Sequence, residues 1–153
     1  MTVANWGRMP EIPPVLAIDR SEDTLNAIAG TIAALGCRPL LARGGVAGLA
    51  EFRQHFRDIR AVVLDFDMPD MNGDRALHHL RRIRDDVPVI LCVSDPYKDM
   101  MLRFPETGVV AYLTRPPVAA ELAEALRTAM LRRATMDIPP EGRGWRKELP
   151  YFA

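Results

Sequence analysis

The chain is short of cysteine and of net charge, and each shortage removes a class of function. Its two cysteines, Cys37 and Cys92, offer neither a disulfide framework nor a close metal-binding spacing. Free thiols in a reducing compartment are the expectation. Twenty basic and twenty acidic residues cancel, so no overall positive field draws the chain to nucleic acid or to a membrane surface. No apolar run approaches the ~20 residues that a membrane helix needs. The opening stretch MTVANWGRMPEIPP lacks the apolar core of a signal peptide. A cytoplasmic location is therefore expected. Internal repeats and low-complexity tracts are absent, and no Gly-rich or Ser/Thr-rich phosphate loop follows the first apolar run.

What remains is an ordinary globular composition. The chain has 153 residues, 48% hydrophobic and 26% charged, which suits one domain. Five short apolar runs, at 15–18, 39–42, 61–64, 87–93 and 109–113, read as strands. Helical patterns alternate with them. Leu25, Ile28, Ile32 and Leu35 step by three and four, as do Leu77, Leu80 and Ile83, and Leu122, Ala125, Leu126 and Ala129. Residues 98–104 read as a short, weakly patterned helix. Ser21 or Asp23 suits the start of the first helix, Gly36 its end, and Pro117 the start of the last. Arg81, Arg82 and Arg84 read as a solvated helix face. His78 and His79 are adjacent, so they point to different faces and make no ligand pair.

Alternation of strand and helix implies an α/β fold with a parallel sheet and helices on both faces. Right-handed crossovers favour a flavodoxin-like (βα)5 sandwich with strand order 2-1-3-4-5. The expected layout is an N-terminal arm over 1–13, the α/β domain over 14–134, and a tail over 135–153. The tail carries Trp145, Tyr151 and Phe152, and it either docks or stays solvated.

The chemistry concentrates at residues 61–73, AVVLDFDMPDMNG. Asp65 closes the third strand at its C-terminal end, where open α/β sheets place their sites. Met68-Pro69 and Asn72-Gly73 then turn the chain into a helix. The strand order brings the end of the first strand, Asp19, beside Asp65.

The run Asp65-Phe66-Asp67-Met68-Pro69-Asp70-Met71-Asn72-Gly73 resembles the phosphoacceptor segment of response regulator receiver domains, D-x-x-M-P-x-M-[DN]-G. The resemblance implies two-component phosphorelay signalling, with Asp65 phosphorylated from a histidine kinase or histidine phosphotransfer protein in the presence of Mg²⁺. It implies metal ligation by Asp19, Asp65 and the backbone carbonyl of Asp67. It also assigns a switch role to Tyr112 and a phosphate-neutralising role to Arg115, where the family carries Lys. Three positions depart from the pattern. Arg20 stands where a second acid is expected, Val93 stands where a Ser or Thr is expected, with Ser94 one place later, and Arg115 replaces Lys.

These departures change the charge. Asp19 and Asp65 now face Arg20 and Arg115. A unit pair at ~4 Å and an effective dielectric of ~20 is worth about 4 kcal/mol, so exchanging an acid for a base weakens Mg²⁺ binding. Arg20 is expected either to pair bidentately with Asp65, lowering its pKa, or to point outward. Asp67 and Glu22 are candidate replacement ligands, Glu22 being expected to point elsewhere. Tyr112 either rotates between buried and exposed positions or packs on the sheet edge. Ser94 is expected to cap the helix after the fourth strand.

The leading reading is a stand-alone atypical receiver, not an enzyme, that acts by protein–protein binding. A homodimer through the fourth helix, fifth strand and last helix is possible on this reading, with no nucleic-acid or membrane contact. Two rivals stay open: a phosphorylation-independent pseudo-receiver, and a flavodoxin-like nucleotide-binding protein or small enzyme.

Overall fold

The computed structural model describes residues 12–94 and 108–135. Among them are five strands, β1 (Pro14–Asp19), β2 (Arg38–Arg43), β3 (Ala61–Asp65), β4 (Val89–Val93) and β5 (Val109–Thr114). Four helices accompany them, α1 (Glu22–Ala34), α2 (Gly45–His55), α3 (Gly73–Ile83) and α4 (Ala119–Thr135). All strand pairings are parallel, in the order β2-β1-β3-β4-β5. This is the expected flavodoxin-like order. The helix expected over 98–104 lies outside the described residues, as do nearly all of the arm and the tail.

The period of two in the strands builds two cores. Leu16, Ile18, Val62, Leu64, Val89, Leu91 and Val93 point to one face of the sheet. There they meet Leu49 and Phe52 of α2 and Leu77 and Leu80 of α3. Val15, Ala17, Val63, Ile90 and Cys92 point to the other, against Leu25, Ile28 and Ile32 of α1 and Leu122, Leu126 and Ala129 of α4. A strand covered on both faces needs no polar residue, so β1, β3 and β4 are buried throughout. Among the described residues only Asp19 and Asp65 interrupt the apolar burial, and both stand at strand ends.

Local signals set the helix ends. The Ser21 side chain accepts from the Thr24 amide and starts α1, and Gly36 at φ +77° follows its end. Asn72 caps α3 by accepting from the Arg75 amide. The last helix begins at Ala119, two residues later than Pro117 suggested. Its first turn closes through the bond from the Leu122 amide to the Val118 carbonyl, leaving Pro117 outside.

The arginines at the end of α3 correct an expectation. Arg82 is exposed, but Arg81 and Arg84 are not a solvated face. Arg84 Nη1 donates to the carbonyls of Phe56 and Ile59, at 2.8 and 2.7 Å, and its Nε pairs with Asp86 at 2.7 Å. Arg81 donates to the Val87 carbonyl. The chain leaving α2 exposes carbonyls that no helix bond satisfies, and a long cationic side chain from the neighbouring helix supplies donors.

Candidate functional site

Strands β1 and β3 pair in register, Ile18 opposite Leu64, so Asp19 and Asp65 emerge side by side. Each is only 1% exposed. Asp19 Oδ1 accepts from the Ser21 amide at 2.8 Å and from Arg115 Nη2 at 2.9 Å. Asp65 Oδ1 accepts from the Asp67 amide at 3.1 Å, and its Oδ2 from the Arg20 amide at 3.4 Å. Arg115 Nε lies 3.3 Å from Asp65 Oδ2, an ion pair without hydrogen-bond alignment. One guanidinium thus spans both carboxylates. Its own backbone amide is tied to the Val93 carbonyl at 2.8 Å, which fixes the start of the loop after β5.

Arg20 takes the outward position of the two expected, within ion-pair reach of Asp65 and Asp67. It makes no bidentate pair: its Nε is 3.8 Å from Asp65 Oδ2 and its Nη1 is 3.6 Å from Asp67 Oδ2. Its side chain is 40% exposed, whereas that of Arg115 is 16% exposed. Asp67, two-thirds exposed, draws Arg20 toward solvent instead of reaching inward itself. Glu22 is exposed in the first turn of α1, as expected.

The pKa of Asp65 is accordingly raised, not lowered. Burial is the main cause, followed by the charge of Asp19. The Asp67 amide, Arg115 and the Arg20 amide oppose this without reversing it. For Arg115, burial works against the charge, but the Asp19 hydrogen bond and the charges of Asp65 and Asp19 outweigh it and raise its pKa. Cys92, opposite Asp65 on β4, has its thiol pushed up to about 12 by burial and by both acids. It stays protonated and offers no nucleophile.

The donor set fits a resident divalent cation poorly. Mg²⁺ prefers near-octahedral oxygen ligation. Of the four oxygens on the two buried carboxylates, only Asp19 Oδ2 lacks a partner among the described residues. No group of three His, Cys, Asp or Glu side chains among those residues is arranged to hold a metal. Two guanidinium groups already face the acids.

The remaining site residues are spread around this pair. Val93 is fully buried at the end of β4 and carries no side-chain donor. Ser94 follows it, half-buried, and the helix it was expected to cap lies outside the described residues. Tyr112 is 9% exposed and packs in the core on the face of the sheet that α2 and α3 share.

Three contributors were not given their roles from sequence. The Arg43 side chain donates from Nε to the Arg20 carbonyl at 3.2 Å, holding the β1–α1 loop. Asp70 accepts from the amides of Gly45 and Val46, both at 3.0 Å, so the loop after β3 caps α2. Those bonds hold the Asp70 pKa below its usual value. The local N-cap of α2, Gly44, sits at φ +97° and has no side chain to do this. The Gly44-Gly45 pair was the available clue, since a helix start without its own acceptor needs a distant one. Arg84 is the third, and nothing in its local sequence separates it from Arg82.

Comparison with known proteins agrees with this fold. The family model described as the response regulator receiver domain matches residues 15–127. The sensory transduction protein RegX3 of Mycobacterium tuberculosis is 34% identical over 124 residues, covering 80% of this chain and 52% of that protein. The transcriptional regulatory protein PrrA of the same species is 29% identical over 123 residues, with the same coverage. The chain spans about half the length of the curated relatives it matches. A solved response regulator receiver domain protein from Clostridium thermocellum superposes with a TM-score of 0.74 at 25% identity, covering 80% of this chain and 98% of that one. The receiver domain of the Francisella response regulator 1452 gives a TM-score of 0.64 at 26% identity, covering 79% and 98%.

Proposed function

The chain belongs to the response regulator receiver domain family of two-component signalling, and from that membership we propose that Asp65 is its phosphoacceptor, served by a site with weakened Mg²⁺ dependence. The observation that carries this reading is the buried Asp19–Asp65 pair at the ends of β1 and β3, faced by two guanidinium groups. A histidine kinase or histidine phosphotransfer protein supplies the phosphoryl group. Output is through protein binding, with the face that includes β5 and α4 as the proposed homodimer surface. Nucleic acid and membrane take no part, and the location is cytoplasmic. No helix of the described residues is long and apolar enough to cross a membrane. The family is one of signal receivers rather than of flavin or nucleotide enzymes, which leaves that rival without support.

The chemistry asked of the chain is positioning and charge compensation. The Asp67 amide orients Asp65 by holding Oδ1. Arg115 and Arg20 stand beside Oδ2, where negative charge gathers when a phosphoryl group is added. In the family a Mg²⁺ ion supplies most of that compensation. Here the acid expected at residue 20 is a base, so one oxygen ligand is gone.

A second reading has its own support. The Asp65 side chain is fully shielded from solvent and Arg115 lies against it. A receiver held in one state by its arginines would bind its partners without phosphate.

Labelling with acetyl phosphate and Mg²⁺ separates the two. The proposal expects poor labelling of the wild type, more in Arg20→Asp, and none in Asp65→Asn. Efficient wild-type labelling that Asp65→Asn abolishes would overturn the weakened site. No labelling of wild type or Arg20→Asp, by acetyl phosphate or by a kinase, would leave the pseudo-receiver.

A further inference from the structure

We propose that Arg115, and not Arg20, is the pocket's built-in counter-ion, a tethered guanidinium that neutralises Asp19 and Asp65 in place of a divalent cation and must be displaced before one binds. The inference rests on reading this pocket as a receiver site, and it moves the burden of metal exclusion from one arginine to the other.

The two arginines differ in every respect that decides displaceability. The Arg115 guanidinium reaches Asp19 at 2.9 Å and Asp65 at 3.3 Å, whereas the Arg20 guanidinium approaches no closer than 3.6 Å to any carboxylate. The Arg115 side chain is largely enclosed and works at a lower local dielectric, while Arg20 is screened by solvent. Arg115 is also anchored at its root by the bond to the Val93 carbonyl. Arg20 is shared with the exposed Asp67 and can swing out without leaving a buried charge unpaired.

The planar fork is essential to this role. A guanidinium presents Nε and Nη donors in fixed geometry and can touch two acids at once. An ammonium in the same place is a compact, strongly hydrated point charge on a flexible stem, suited to one carboxylate at a time. Arg115→Lys should therefore keep the charge that allows folding while freeing carboxylate oxygens. Asp19 Oδ2, buried and without a hydrogen-bond partner among the described residues, is already poised to accept a ligand.

The test is calorimetric titration of the full chain with MgCl2, with thermal midpoints in about 10 mM Mg²⁺ against chelator as a second measurement. Arg115→Lys is expected to bind Mg²⁺ at least tenfold more tightly than wild type and to gain a Mg²⁺-dependent rise in midpoint. Arg20→Ala, which removes charge without adding a ligand, is expected to change affinity less than threefold. The wild-type midpoint should be insensitive to Mg²⁺. A tighter Arg20→Ala with an unchanged Arg115→Lys would overturn the proposal. So would wild-type protein that binds Mg²⁺ as tightly as Arg115→Lys. If Arg115→Lys does not fold, Arg115→Gln is titrated in its place: binding at least tenfold tighter than wild type supports the lock, and binding unchanged from wild type refutes it. Metal affinity, not labelling, is the readout, so failure of Asp65 as phosphoacceptor and failure of this lock are seen separately.

Discussion

Replacing Asp70 by Ala removes the only side-chain acceptor that the described residues give the first two amides of α2. Its carboxylate receives hydrogen bonds from Gly45 and Val46, each at 3.0 Å, and Gly44 supplies no side-chain cap of its own. Loss of an N-cap acceptor costs ~0.5–2 kcal/mol, and charge-assisted bonds lie at the upper end. Asp70 is solvent-exposed, so screening discounts the charge. The net expectation is about 1–2 kcal/mol, or a fall of roughly 3–6 °C in thermal midpoint for a chain of this size. Asp70→Asn, which keeps an acceptor oxygen, should lose about half as much. The pH dependence carries the sign. The folded-state pKa of Asp70 is lowered, so its contribution is complete above the unfolded value of about 3.9 and fades as pH falls through the folded value. The gap between wild type and Asp70→Ala should therefore be widest near neutral pH and close in acid. Urea denaturation across pH measures the gap, and amide exchange at Gly45 and Val46 should accelerate in the variant. Equal stability at neutral pH, or a gap that persists undiminished in acid, would refute the cap.

Asp65→Asn should raise the thermal midpoint at neutral pH. The folded-state pKa of Asp65 is raised by burial and by Asp19, so the ionised carboxylate costs stability above that pKa and the cost is relieved as pH falls through it; the advantage of the variant should shrink on acidification, followed by a melting series in buffers of falling pH. Gly48→Ala should destabilise by about 1–3 kcal/mol, because an added Cβ would lie 2.5 Å from Ile18 Cδ1 and α2 would have to lift off β1. Ile18→Val in the same chain removes that methyl and should recover part of the loss, read as a double-mutant cycle by urea denaturation.

The sequence by itself determined the architecture. Apolar runs alternating with helical faces specify a parallel sheet because each carries its own period, two or 3.6, in neighbouring residues. Gly36 at the end of α1, Ser21 as one of two candidates for its start and Asp65 at the close of β3 act within a few positions of themselves, so those places were visible in a row of letters. The meeting of Asp19 with Asp65 was also legible, since it follows from strand order alone. Only the tertiary structure decided which arginine serves the acids. Arg20 is next to Asp19 in the chain, yet it faces solvent and Asp67, while Arg115 arrives from beyond β5 and spans both carboxylates. The same holds for Asp70 on α2 and Arg84 on the Phe56 and Ile59 carbonyls. A long side chain's partner is chosen by distance and by the local dielectric, and neither quantity exists until the strands have been laid beside one another.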